Sequence, residues 1–156
     1  MWFLTRLMPV LSWGIKQLLR LGVRLTIFGP MLLLSVRGRK TGKLRTQPVD
    51  LHEHEGRRIL IATHGVGSWV HNLRAAGGGV LSLGWRRQAF TAVELTPETG
   101  GPLIKEVMGP LLASQGMRGA FLRQNLGVTA DATLDDYINV ARRHPVFELS
   151  PAWLFL

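Results

Sequence analysis

The chain of 156 residues has no cysteine, one tyrosine, and ten acidic residues against nineteen lysines and arginines. Without cysteine there is no disulfide framework, no thiolate nucleophile and no Cys-type zinc site, and a reducing compartment is allowed. No HExxH metal signature occurs, and no Ser, His and acid set has the spacing for acyl transfer. Gly38-Arg39-Lys40-Thr41-Gly42 lacks the glycine that a phosphate-binding NTPase loop carries four residues before its Gly-Lys pair. These absences weaken hydrolase and NTPase readings and favour a reaction whose chemistry is carried by a bound cofactor. Long unbroken apolar runs are also missing. Arg6, Lys16, Arg20 and Arg24 interrupt the greasy stretch from Trp2 to Val36 too often for a bilayer span of about 20 residues. No small-residue cleavage site follows it, which argues against a removed signal peptide.

A formal net charge of +9 favours a polyanionic ligand, nucleic acid or an anionic lipid surface. The length suits one compact domain with a helical attachment, with no internal repeat or low-complexity linker. On a wheel of about 100° per residue, Lys16, Arg20 and Arg24 share one arc of a helix ended by Gly29-Pro30, with Pro9 in its first turn. Two readings stand for this helix. It lies on an anionic leaflet with Trp2 and Trp13 at headgroup level, or it packs on the rest of the protein.

An unbroken apolar run predicts a strand over Met31 to Val36 buried on both faces, and β-forming residues with looser alternation predict strands over Lys43 to His52, with Pro48 at an edge or bulge, and Arg57 to Thr63. His52-Glu53-His54-Glu55-Gly56 reads as a polar turn. Two histidines on a turn do not complete a metal site, and none is expected. Ser68 to Ala76 reads as an N-capped helix with Trp69 and Asn72 one turn apart on the same side. Gly77-Gly78-Gly79 reads as its stop and turn. A hairpin of Val80 to Gly84 and Gln88 to Leu95 follows. Thr96 caps a helix start at Pro97, and helical stretches cover roughly Pro102 to Ser114, Arg118 to Leu126 and Leu134 to Arg143. A strand from Val146 to Leu149 precedes an apolar tail, Trp153 to Leu156.

The residues that look chosen for chemistry lie between Val36 and Asn72. The turn from Arg37 to Arg45 places five cations around Gly38 and Gly42, a good grip for phosphate or carboxylate oxygens. Arg39-Lys40-Thr41-Gly42, then Arg45-Thr46-Gln47-Pro48, then Ser68-Trp69 and Asn72-Leu73-Arg74, with His144-Pro145-Val146-Phe147 near the end, together resemble the deazaflavin-dependent nitroreductase and quinone reductase family of actinobacteria. The resemblance implies an α+β fold: a split β-barrel of the FMN-binding-like kind, with an N-terminal amphipathic helix over 1–30, a barrel domain over 31–156 and flanking C-terminal helices. It also implies coenzyme F420, a deazaflavin bearing a phosphodiester and an oligoglutamate tail.

By that resemblance Arg39, Lys40, Thr41 and Arg45 hold the phosphate and tail, and the backbone of Thr46, Gln47, Pro48, Val49 and Asp50 runs beside the ring. Ala62, Thr63 and His64 line its edge, and Ser68, Trp69, Val70, His71 and Asn72 close the site. The tyrosines that shape the family's substrate pocket are missing, leaving Tyr137 as the sole candidate there. Asp50 stands where an aromatic is usual. His64, Tyr137 and water remain unranked as proton donors. The expectation is an F420H2-dependent reductase passing hydride to a hydrophobic acceptor such as a quinone or nitro compound. It would be cytoplasmic, a monomer or homodimer, with peripheral contact to the inner face of the plasma membrane through residues 2–28. The rivals are an FMN-binding reductase on the same barrel and a non-catalytic lipid or cofactor carrier. A nucleic-acid binder has only charge in its favour, lacking a recognition-helix pattern or aromatics interleaved with the basic run.

Overall fold

The computed structural model describes residues 2–152, with side chains from residue 9 onward. The Trp2 side chain and the tail from Trp153 lie outside the described residues. Six antiparallel strands close a barrel: β1 (Met31–Arg37), β2 (Leu44–His54), β3 (Arg57–Ile61), β4 (Gly78–Leu83), β5 (Arg86–Glu94) and β6 (Val146–Pro151), in spatial order β1-β2-β3-β6-β5-β4. Closure leaves no free sheet edge, which removes the pairing hazard of so apolar a first strand.

Alternation along each strand divides the apolar residues between two surfaces. Leu34, Val36, Val49, Leu51, Leu60, Phe90, Phe147 and Leu149 fill the barrel, joined by Val70 and Leu73 of α2 (Ser68–Ala76). Ile59, Ile61 and Val146 face outward under α3 (Pro97–Ala113), α4 (Met117–Leu126) and α5 (Leu134–Arg143). Met31 and Leu33 face outward under Leu19 of α1 (Trp2–Arg20). Strand β1 is therefore buried on both faces, as its unbroken apolar run implied.

Several boundaries differ from the sequence expectation. Helix α1 contains Pro9 and ends at Arg20, with Gly22 at φ 83, so Arg24 lies beyond it. His52 and His54 belong to β2, and only Glu55 and Gly56 turn. Gly77 caps α2 in the left-handed region, but Gly78 and Gly79 are strand residues. A Cβ on Gly78 would lie 2.3 Å from the Phe90 carbonyl oxygen, and one on Gly79 would lie 2.5 Å from that of Ser35. Close backbone approach, rather than turning, explains those two glycines. Helix α3 starts at Pro97, capped by Thr96, and runs through Gly100 and Gly101, where α5 crosses so closely that a Cβ on Gly101 would meet the Ile138 backbone at 2.7 Å.

Candidate functional site

The basic turn is closed by its own backbone. Gly38 N–H donates to the Lys43 carbonyl at 2.7 Å and Gly42 N–H to the Gly38 carbonyl at 2.9 Å. Gly42 sits at φ 70, a conformation that glycine adopts without a Cβ penalty. The closed turn leaves Arg39, Lys40 and Thr41 exposed at its tip.

Helix α2 faces that tip. Its N-cap is Gly67, in extended conformation and without a side-chain cap bond, so the expected side-chain cap is absent. Trp69 is half-buried, its indole tilted 51° against Phe147 with ring centroids 5.9 Å apart, which fixes one side of the ring against the barrel core. Asn72 is only 5 % exposed. Its Oδ1 accepts from the Arg39 backbone N–H at 3.2 Å and from the Arg39 guanidinium at 2.9 Å. A buried amide oxygen is thus satisfied by the turn, and the turn is held to the helix.

Between them runs a groove of about 690 Å³, within the range of ligand sites. The hairpin supplies Leu34, Val36, Gly38, Arg39, Lys40, Thr41, Leu44, Arg45, Thr46 and Gln47; α2 supplies Ser68, Trp69 and Asn72; α1 supplies Ser12, Lys16 and Arg20. Five of these lining residues are cations and none is a carboxylate, so the groove suits an anion. Sequence reasoning missed the α1 contribution. It found the stripe of Lys16 and Arg20 but left it between an anionic leaflet and the rest of the protein, since a wheel does not show which neighbour a face meets.

The other sequence candidates stand elsewhere. Val49 and Val70 are barrel core. Pro48 and Asp50 pair with Leu33 and Met31 on the outer face. Ala62 is pinned near the strand end, its N–H donating to the Pro145 carbonyl and its carbonyl accepting from His144 Nδ1 at 2.8 Å. Thr63 is buried and within 3.2 Å of His64 Nδ1, while His64 itself is exposed beside Phe121. His71 is exposed on α2. Tyr137 is corrected as a pocket residue: it is 0 % exposed in the core beneath the C-terminal helices, and its hydroxyl donates to the Thr129 carbonyl at 2.8 Å. Among the described residues no cluster of three or more His, Asp or Glu could hold a metal.

Asp50 and His52 form an outer-face pair with unusual acidity. Burial pushes the Asp50 carboxyl up to about 6, opposed by the Phe28 and Gly29 N–H groups and by Arg118. Burial pushes His52 down to about 4. Asp50 Oδ1 and His52 Nε2 lack hydrogen-bond partners.

A closed six-strand barrel flanked by helices defines the class, the α+β split barrel, and its cationic groove ending at an indole suits an anion beside a flat ring. Within that class the chain belongs to the F420H(2)-dependent quinone reductase family, whose model matches residues 16–109. It is an F420-dependent oxidoreductase. None of the curated proteins matches it. Among solved structures it is similar to an F420-H2 dependent reductase, at 22% identity over 77% of this chain and 93% of that one, TM-score 0.42. A structure described as a domain-swapped dimer is 21% identical over 88% of this chain and 94% of that one, TM-score 0.44. A proposed 5-nitroimidazole antibiotic resistance protein of Bacteroides thetaiotaomicron, 6% identical over 79% of this chain and 73% of that one, has a TM-score of 0.50. The fold is thus the α+β split barrel that the sequence resemblance implied.

Proposed function

We propose that the groove between the basic turn and α2 is the F420 site, and that the acceptor is a hydrophobic molecule such as a quinone or nitro compound. The observation that carries this reading is the continuity of the groove from Lys40 to Trp69. The lining fits the group: Arg39, Lys40, Thr41 and Arg45 offer charged and hydroxyl donors for phosphate and carboxylate oxygens, and Trp69 offers a flat apolar wall. Reduced deazaflavin, when bound, supplies the hydride. The protein's share is to bind, orient and exclude water. Asn72 orients Arg39, the Phe147 contact orients Trp69, and Leu34 and Val36 give an apolar surface beside them. Thr46, Gln47 and Ser68 add polar contacts in this reading, while Pro48, Val49, Asp50, Ala62, Thr63, His64, Val70 and His71 act by shaping the framework around the groove. In this reading α1 supplies one wall of the site through Ser12, Lys16 and Arg20, and the chain from Met31 to Pro151 forms the barrel domain.

The test is oxidation of reduced F420, followed by the return of its visible absorbance, with a soluble quinone and with a nitroaromatic. Acceptor-dependent oxidation supports the reductase reading. Binding without oxidation assigns the protein as a cofactor carrier, and preference for FMN in a parallel titration overturns the deazaflavin assignment.

Peripheral membrane contact keeps one observation in its favour. With Lys16 and Arg20 lining the groove, α1 leaves Val10 65 %, Leu11 59 % and Leu18 42 % exposed together on its opposite side, a face suited to the interface where a lipid-soluble acceptor resides. Among the described residues no helix is long and apolar enough to cross a membrane. Co-flotation with anionic vesicles, lost in Leu11→Ser with Leu18→Ser, supports the contact; flotation unchanged by those substitutions removes it.

A further inference from the structure

One buried side chain of the C-terminal layer bonds to the turn that leads into the groove, and the proposed function gives it no role. His144 ends α5, its backbone N–H donating to the Val140 carbonyl at 2.8 Å, and it is 7 % exposed. Its Nδ1 lies 2.8 Å from the Ala62 carbonyl oxygen. A carbonyl only accepts, so Nδ1 carries the hydrogen and the neutral ring is the Nδ1–H tautomer. Burial holds the imidazole below its ordinary pKa, opposed by the Ala62 bond and reinforced by Arg143 and His64, so the ring is neutral at neutral pH.

The Ala62 carbonyl is a junction. It also accepts from the Gly65 N–H at 2.9 Å, while the Ala62 N–H donates to the Pro145 carbonyl at 3.0 Å. His144 and Pro145 therefore hold both polar groups of Ala62, where β3 ends and β6 begins. The turn that starts at Ala62 passes Gly65, at φ 83, and reaches the groove lining at Ser68. Gly67 offers α2 no side-chain cap. Val70, Leu73 and the Asn72–Arg39 bonds fix the later turns of that helix. Its entry is fixed upstream, at one oxygen held by an imidazole.

We infer that His144 is a positioning residue of the cofactor site: its Nδ1–H holds the turn from Ala62 to Gly65 and thereby the place of Ser68 and Trp69 in the groove. This rests on the assignment of the groove to F420. His144 acts through Ala62 and does not line the groove itself. Thr63 and His64 lie inside the held turn, so loss of the imidazole donor loosens them together with the first residues of α2. The Ala62 carbonyl would keep one donor of its two, and a displacement of about 1 Å in a positioning element costs up to about 100-fold in the chemistry it serves.

The experiment titrates wild type, His144→Leu, His144→Asn and Gly65→Ala with oxidised F420, well below their melting temperatures. Fluorescence gives affinity, and the visible circular dichroism of the bound ring reports how it is seated. Leucine fills similar space without a donor, whereas asparagine places an amide N–H near the position of Nδ1. His144→Leu is expected to weaken binding about tenfold and to alter the dichroism band, and His144→Asn to restore both to within about twofold of wild type. Gly65→Ala strains the same turn at its positive φ and should reproduce the leucine result with the imidazole intact. Amide hydrogen exchange at Ser68 to Asn72 should quicken in His144→Leu and not in His144→Asn. If His144→Leu and Gly65→Ala lower the melting temperature yet bind F420 with wild-type affinity and dichroism, or if His144→Asn binds as poorly as His144→Leu, the inference fails and the site assignment stands. Should His144→Leu not fold, Gly65→Ala against wild type decides by the same two readings. If wild type binds no F420, both fail together.

Discussion

Asn72 Oδ1 receives two hydrogen bonds from Arg39, one from its backbone N–H and one from its guanidinium. The two residues are 33 positions apart, and this pair ties the tip of the β1–β2 hairpin to α2. Each half of the groove is positioned by the other. Arg39→Lys would keep the charge and lose the fork, whereas Asn72→Ala would leave a charged donor loose at the mouth.

Asn72→Ala is expected to weaken F420 binding by about tenfold, since a hydrogen bond to a charged group contributes about 1.5–3 kcal/mol. Part of that loss should appear as lower stability, because the bond exists before ligand arrives. Parallel cofactor titration and thermal melting measure the two parts.

Trp69→Phe should retain most affinity, because a smaller ring can still rest on Phe147. Trp69→Ala removes both the wall and a contact with the barrel core, and should cost about 2–4 kcal/mol of stability with a loss of binding larger than that of Asn72→Ala. Denaturant melts beside fluorescence titration separate the two.

Two outer-face groups give opposite pH dependences. His52 titrates at about 4 when folded, below its ordinary 6.5. The unfolded chain takes up that proton first, so stability present above pH 6.5 is lost as pH falls toward 4. Asp50 titrates at about 6 when folded, above its ordinary 3.8. The folded chain holds that proton longer, so stability is lost as pH rises from about 4 to 6. Asp50→Asn should therefore stabilise the protein at pH 7–8, by about 1–3 kcal/mol, with little effect at pH 4. His52→Leu should flatten the acid limb. Denaturant melts at pH 4.5, 6 and 7.5 give the comparison.

Gly101→Ala and Gly14→Ala should move stability in opposite directions. The first forces a Cβ against the Ile138 backbone at 2.7 Å and should cost about 1–3 kcal/mol as α3 and α5 separate. The second meets nothing within 4 Å inside α1 and should strengthen that helix by about 0.5–1 kcal/mol. Thermal melts and helix-resolved hydrogen exchange check both.

The sequence made the barrel strands legible because alternation and unbroken apolar runs are local signals of burial. The expected range of helix α5, Leu134 to Arg143, coincides with the observed one, which Thr133 caps and first-turn acids support. Gly78 and Gly79 misled, because a glycine that admits a neighbouring backbone looks the same in sequence as one that ends an element. His52 misled similarly: a histidine beside acids reads as a turn, yet its pairing with Ile59 places it under the outer layer. The hairpin and α2 halves of the groove were legible through residue type and spacing. The α1 half was not, since Lys16 and Arg20 acquire their meaning only when Leu19 docks on β1.

The most direct measurement is an equilibrium titration of purified protein with oxidised F420, beside the Arg39→Ala, Lys40→Ala double variant, at low and physiological salt. Binding at micromolar concentration by the wild type, weakened at least about tenfold in the variant and further by salt, is what a cationic groove requires. Binding that survives the loss of both cations, or no binding at micromolar concentration, contradicts it.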